Sequence, residues 1–242
     1  MKASPSDQAQ VLDIQKMDFH VATLRNKVAA LPEIVELLAA TQRQAVVRDL
    51  AIAAQTQIND IKRELIRSES DVEQVVVRLQ KDEKRLADGA TAAKELEKLQ
   101  HEVQTLSSRR AELEEVELEI MMRMDSVKDR LNELTAEAEQ LVAKVAEAEG
   151  RKSVATSAIE AEIATVISER QATVAGVDGA LVELYEKIRS GTGTGAAALR
   201  EGRCDGCHLA INSVELGRMK TLASDEVVRC EECRCILVRG AH

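Results

Sequence analysis

Two Cys-x-x-Cys pairs carry the most specific chemistry in this chain: Cys204 and Cys207 enclose Asp205-Gly206, and Cys230 and Cys233 enclose Glu231-Glu232. Each such turn aims two sulfurs at one point, and four thiolates about 2.3 Å from a common centre are what a tetrahedral zinc ion takes. Four cysteine ligands leave no position for water or substrate, so one structural Zn²⁺ is expected rather than a catalytic one. Cys235 is a fifth thiol. Because Cys230-x-x-Cys233 repeats the spacing of the first knuckle, Cys235 reads as a strand side chain outside the ligand set; replacement of Cys233 as ligand and a response to oxidants are the alternatives. His208 reads as a surface residue or a donor behind the ligands, since four cysteines already suffice.

Other reactive residue types are scattered. Arg218, Lys220, Arg229 and Arg234, with Arg109, Arg110 and Arg239, are candidates for phosphate contacts. Phe19 and Tyr185 are the only aromatic residues, so the stacking platform of a single-strand binder is missing. Asp82, Glu83 and Asp88 place carboxylates together, either as a solvated surface or as groups delivered into another machine's active site. No glycine-rich phosphate loop and no Ser/His/Asp constellation is present, so the chain reads as non-enzymatic, with no small-molecule substrate.

The elements that must position these residues follow from periodicity. Apolar residues alternate at three and four along Val47, Ala51, Ala54, Ile58, Ile61, Leu65, Val72, Val75, Leu79 and Leu86, with only Ser68 and Asp82 breaking the seam. A second seam runs from Leu96 through Leu99, Val103, Leu106, Leu113, Ile120, Met124, Val127, Leu131, Leu134, Ala138, Leu141 and Val145 to Ala148, broken only by Arg110 and Glu117. Two seams of similar length around residues 87–91 predict an antiparallel coiled-coil hairpin with its tip there and Thr91 as a cap, each arm about 55 residues and about 80 Å long. A first helix through Ile14, Met17, Val21, Leu24, Val28 and Leu31 is ended by Pro32; its expected partner carries Ile159, Ile163, Val166, Val177, Leu181, Leu184 and Ile188. Gly150, Gly176 and Gly179 are either kinks or helix residues that cost about 1 kcal/mol each against Ala.

Beyond Arg189 the pattern changes. Gly191-Thr192-Gly193-Thr194-Gly195 opens a turn-rich segment, residues 196–200 can enter the first knuckle as a strand, and residues 227–229 and 236–239 are β-prone around the second. Asn212, with Glu215 three residues on, caps a short helix over 214–222. That order is a zinc ribbon's. The expected architecture is therefore mostly α: a helical coiled-coil hairpin over 1–190 and a small four-cysteine β module over 191–242.

Composition agrees with this division. The chain has 31% charged residues, 1% aromatic residues and no Trp, which suits helices packed along aliphatic seams better than a rounded core. The net charge is −9, and the acidic excess lies before Arg189, which argues against non-specific DNA binding along the helices. No apolar run approaches the roughly 18 residues of a membrane span, and the first residues lack a secretion signal, so a cytoplasmic protein with zinc-bound rather than disulfide-bonded cysteines is expected.

Lys94-Glu95-Leu96, Leu99-Gln100-His101-Glu102, Leu184-Tyr185-Glu186-Lys187-Ile188-Arg189, Cys204-Asp205-Gly206-Cys207-His208-Leu209 and Val227-Val228-Arg229-Cys230-Glu231-Glu232-Cys233 occur in order along the chain. In this set the sequence resembles the bacterial family of zinc-ribbon proteins with a long N-terminal coiled-coil hairpin, over essentially its whole length. The Ala- and Glu-rich, aromatic-poor helices look like an actinobacterial member. The resemblance implies the hairpin, the ribbon and Cys204, Cys207, Cys230 and Cys233 as ligands; relatives are linked to the nitrogen-type alternative sigma factor, to flagellar gene expression and to RNA binding. Relatives commonly carry Gly-Arg after the last ligand, where this chain has Arg234-Cys235.

These readings point to a zinc-binding adaptor for a protein partner, with the transcription machinery as one class. The competing expectations are nucleic-acid binding by the ribbon through Arg218, Lys220, Arg229 and Arg234, and an RNA polymerase secondary-channel regulator whose tip acids are Asp82, Glu83 and Asp88.

Overall fold

A computed structural model describes residues 1–89 and 93–240. It contains α1 (Pro5–Ala29), α2 (Pro32–Ala87), α3 (Ala93–Ala175), α4 (Gly179–Thr192), β1 (Ala196–Arg200), β2 (Arg203–Cys204), α5 (Ser213–Thr221), β3 (Val228–Arg229) and β4 (Ile236–Val238). The expected tip at 87–91 falls partly, and the Thr91 cap wholly, outside the described residues. The chain divides into two compact units, one of Val35–Glu149 and one of Met1–Ile34 with Gly150–His242.

The unit of Val35–Glu149 is the antiparallel pair of arms. Arg43 binds Glu137 at 2.6 and 3.0 Å, Arg123 binds Glu64 at 2.7 Å, and Arg78 binds Glu102, so positions rise along α2 as they fall along α3. These exposed pairs add little stability, but they fix the direction and register of the two arms. Val47, Ala54, Leu134 and Leu141 form a core, with Ala51, Val127, Leu131 and Ala138 packed against it. Burial follows heptad phase even where the residue is polar: Ser68 is buried with its hydroxyl unpartnered, and Asp82 is 5% exposed beside Arg85. Arg110, by contrast, reaches solvent from the α3 seam and binds Glu114 at 2.7 Å.

In the other unit, Ser4 caps α1 by accepting from the Asp7 N–H at 3.0 Å, and Pro5 takes the first helical turn, where its missing donor costs nothing. Helix α1 stops at Ala29, and Pro32 then opens α2 for the same reason. Leu24, Leu31 and Ile159 pack together where α1 meets α3. Gly150 is plain helix; the break comes instead after Ala175, and Asp178 restarts the chain by accepting from the Leu181 N–H at 3.1 Å. Gly193, at φ +80°, ends α4 in the left-handed region and donates to the Arg189 carbonyl at 2.8 Å.

The ribbon is a four-stranded sheet in the order β2-β1-β4-β3, with β1 and β4 parallel and the outer pairings antiparallel. Residues before α1 extend its edge: Ala3 donates to the Asp225 carbonyl at 2.8 Å, and Val227 donates to Met1 at 3.0 Å. Val11 and Ile14 of α1, Leu181, Tyr185 and Ile188 of α4, and Ala196, Ile236 and Val238 of the sheet share one core. Asn212 caps α5 as expected, accepting from Val214 at 2.9 Å, while the Glu215 carboxylate turns to Arg218 rather than back to the cap. Among the described residues, no helix is long and apolar enough to cross a membrane.

Candidate metal centre

The two knuckles are the same turn made twice. In the first, the His208 N–H donates to the Cys204 carbonyl at 2.7 Å and His208 sits at φ +63°; in the second, Arg234 donates to the Cys230 carbonyl at 3.0 Å and sits at φ +66°. Both residues follow the second cysteine of their pair, in a backbone region where a Cβ is strained. Arg234, like His208, therefore holds its turn at a conformational cost. The turn also directs the Gly206 N–H to Cys204 Sγ at 3.4 Å, a donor suited to a thiolate.

Strand β2 delivers Cys204, and the turn out of β3 delivers Cys230. Cys204 Sγ lies 3.8 Å from Cys233 Sγ, and Cys207 Sγ lies 3.8 Å from Cys230 Sγ, with all four sulfurs within 4.8 Å of one another. Sulfurs about 2.3 Å from one tetrahedral ion stand about 3.8 Å apart, so the donor set fits zinc in identity and spacing. Cys204 and Cys230 are buried and the other two half-buried. Burial pushes the Cys204 thiol up to about 12, so its deprotonation at neutral pH depends on the ion's own charge. Cys235 is 0% exposed, with its sulfur 3.6 Å from Cys204 Sγ and 3.3 Å from Cys233 Sγ.

A polar cluster that no spacing rule had marked anchors the strand feeding the first knuckle. Arg170 of α3 grips Asp18 of α1 through two bonds of 2.8 and 3.0 Å, and it also binds Glu186 of α4. Burial works against the Arg170 charge, but these two carboxylates outweigh it and hold the guanidinium protonated. The Tyr185 hydroxyl donates to Asp18 at 2.7 Å; burial and that bond together push its ionisation well above the usual range. Gln15 accepts from the Gly195 N–H at 2.7 Å and the Ala196 N–H at 3.3 Å, which ties the start of β1 to α1. Tyr185, Glu186 and Arg189 stood in a motif; Gln15, Asp18 and Arg170 carried no signal.

With this geometry, a CT398-like coiled-coil hairpin domain model matches residues 14–193 and a C4-type zinc-ribbon domain model matches residues 203–237. The chain belongs to the CT398-like coiled-coil hairpin family. It is 31% identical over 239 residues to an uncharacterized protein of Mycobacterium tuberculosis, covering 99% of this chain and 98% of that one. A solved structure from Mycobacterium smegmatis is similar at TM-score 0.85 and 31% identity, over 99% of this chain and 100% of that one. CT398 from Chlamydia trachomatis shares the fold at TM-score 0.72 and 19% identity, over 97% and 98% of the two chains. The family's C4 ribbon thus places one structural zinc ion on Cys204, Cys207, Cys230 and Cys233 here.

The candidate phosphate contacts are not brought into one free surface. Arg218 is held by Glu215 at 2.6 and 2.8 Å on α5, and Arg229 donates to the Arg234 carbonyl at 2.9 Å beside the second knuckle. Lys220 and Arg234 are exposed. Arg109 and Arg110 pair with Glu112 and Glu114 along α3. Arg239 spends its guanidinium on the carbonyls of Met219, Leu222, Ala223 and Glu226, closing the C-terminal end of α5. Of the three tip acids, Asp82 is buried in the seam, which leaves Glu83 and Asp88 exposed.

Proposed function

We propose that the protein is a non-enzymatic, zinc-dependent adaptor of the cytoplasm that docks a segment of a protein partner beside its first knuckle. The observation that carries this reading is Phe19, the chain's only phenylalanine, which is 70% exposed on the wall of an open groove of about 410 Å³. Leu12 and Phe19 of α1 form one side, Ala196–Ala198 the floor, and Gly206 and His208 of the knuckle the far rim. Phenylalanine is among the residues enriched in the cores of protein interfaces, so an exposed one over an apolar floor suits a docked partner. The ion, closed to substrate by four sulfurs, would serve by holding the rim in place. The reducing cytoplasm keeps such cysteines available for metal, and the family resemblance favours the gene-expression machinery as the partner class.

Partners captured by the zinc-loaded full chain, then purified and titrated individually, test the proposal. Phe19→Ala is expected to weaken the interaction at least tenfold while keeping one zinc per chain. Equal binding by that variant removes the groove from the mechanism, and equal binding by a Cys204→Ser, Cys230→Ser double variant removes the ribbon.

A nucleic-acid reading rests on Lys220, Arg229 and Arg234, which are all exposed, although Glu231 and Glu232 of the second knuckle are exposed as well. It requires RNA affinity that falls steeply with salt and is lost in the triple alanine variant. Absence of binding at low salt dismisses it.

A further inference from the structure

We propose that Cys233 and Cys235 form a peroxide-sensitive thiol pair whose oxidation withdraws one ligand from the ribbon's metal centre. Cys235 is the one cysteine that the four-sulfur site does not use. Its Sγ nevertheless stands 3.3 Å from Cys233 Sγ and 3.6 Å from Cys204 Sγ, against the edge of the sulfur cluster. A small apolar side chain would fill this buried position equally well, so the chemistry peculiar to cysteine there is its reach to a ligand sulfur.

Solvent access chooses between the two neighbours. Cys204 is fully buried, whereas Cys233 is half-buried and can meet a small oxidant at the surface. Cys233 and Cys235 are also joined by Arg234 alone, so a bond between them closes a short loop without moving the first knuckle. The Cys235 carbonyl accepts from the Cys230 N–H at 2.9 Å, and Ile236 begins β4. Covalent change at this turn therefore reaches directly into the sheet.

The reaction balances with hydrogen peroxide as the oxidant. Cys233, a thiolate when it holds the ion, would give up that bond as its sulfur attacks one peroxide oxygen; the O–O bond breaks, and the departing hydroxide takes a proton from solvent to leave as water, giving a sulfenic acid on Cys233. The Cys235 sulfur then attacks the Cys233 sulfur and the S–O bond breaks; the second hydroxide takes the Cys235 thiol proton and leaves as water. The Cys233 thiolate and the Cys235 thiol are oxidised to a disulfide while one peroxide, with one proton from solvent, is reduced to two waters. Cys204, Cys207 and Cys230 remain as thiolates, one fewer than the closed site requires.

Peroxide treatment of the zinc-loaded full chain, with zinc release followed by a chromogenic chelator and cysteines mapped by mass spectrometry, tests this. The wild-type chain is expected to form a Cys233–Cys235 disulfide as zinc is released, and a thiol reductant with added zinc should restore one ion per chain. Cys235→Ser is expected to keep its zinc when reduced, form no such bond, and carry Cys233 on to sulfinic acid, which the reductant does not reverse. A wild-type map without the Cys233–Cys235 bond overturns the proposal, as does a link from Cys235 to Cys204 in its place. Reversible release in Cys235→Ser equal to the wild type does the same. If Cys235→Ser does not hold zinc even when reduced, the wild-type map decides alone.

Discussion

The Tyr185 hydroxyl donates a 2.7 Å hydrogen bond to Asp18 Oδ2, joining α4 to α1 next to the strand that enters the first zinc knuckle. Asp18 also carries the two bonds from Arg170, so the carboxylate is the hub and the phenol one spoke. Tyr185→Phe is expected to cost about 1 kcal/mol, one hydrogen bond with the ring kept in place. Asp18→Ala leaves Arg170 without its main partner and should cost about 3 kcal/mol. Urea denaturation separates the two, and equal losses would contradict the hub assignment.

Gly195 lies so close to Tyr185 that an added Cβ would stand 2.5 Å from two ring carbons and 2.8 Å from the Tyr185 carbonyl. Neither the fully buried ring nor the helix backbone can give way cheaply. Gly195→Ala is therefore expected to destabilise the unit by about 2–3 kcal/mol, read as a lowered denaturation midpoint at constant zinc.

Arg234 holds φ +66° with its N–H donating to the Cys230 carbonyl and its own carbonyl accepting from the Arg229 guanidinium, while the Arg234 side chain makes neither bond. Arg234→Gly keeps both bonds and removes the Cβ strain, for an expected gain of about 0.5–1 kcal/mol. Slower zinc loss to a competing chelator is the accompanying observable. A variant that loses zinc faster would show that the arginine side chain, rather than the turn, supports the site.

Zinc uptake should release protons. With the Cys204 thiol pushed up to about 12 by burial, that sulfur is protonated across the neutral range before the ion arrives, so binding displaces its proton. Apparent affinity is expected to fall as pH is lowered, about tenfold per pH unit for each proton displaced. Competition with a zinc-buffering chelator between neutral and mildly acidic pH measures the slope, and a flat profile would contradict thiolate ligation.

Much of the fold was legible because it is locally encoded. The seams through Val47 and Leu134 appear as a buried helical pair, and heptad phase placed even Ser68 and Asp82 inside it. The same phase corrects the picture of three tip acids, because Asp82 faces the seam while Glu83 does not. The break after Ala175 was ambiguous: Gly150 and Gly176 look alike in sequence, but Asp178 is placed to cap a new helix after only one of them. Arg170 and Asp18 were beyond any periodicity argument, being 152 residues apart. Phe19 was visible as a residue, but not as the wall of a groove.

The helical seams and the two knuckles follow from residue types a few positions apart along one segment, whereas the choice of Cys233 over Cys235 as the fourth sulfur rests on the placement of the thiols in space. The parallel pairing of β1 with β4, the joining of residues 1–3 to the ribbon edge at 225–227, and the cluster of Asp18, Arg170 and Tyr185 arise from the docking of distant segments. The same docking brings Cys235 to 3.6 Å from Cys204 across 31 residues. Such contacts are closed by how whole elements dock, a balance of burial and hydrogen bonding over the entire unit that leaves no short repeat to read.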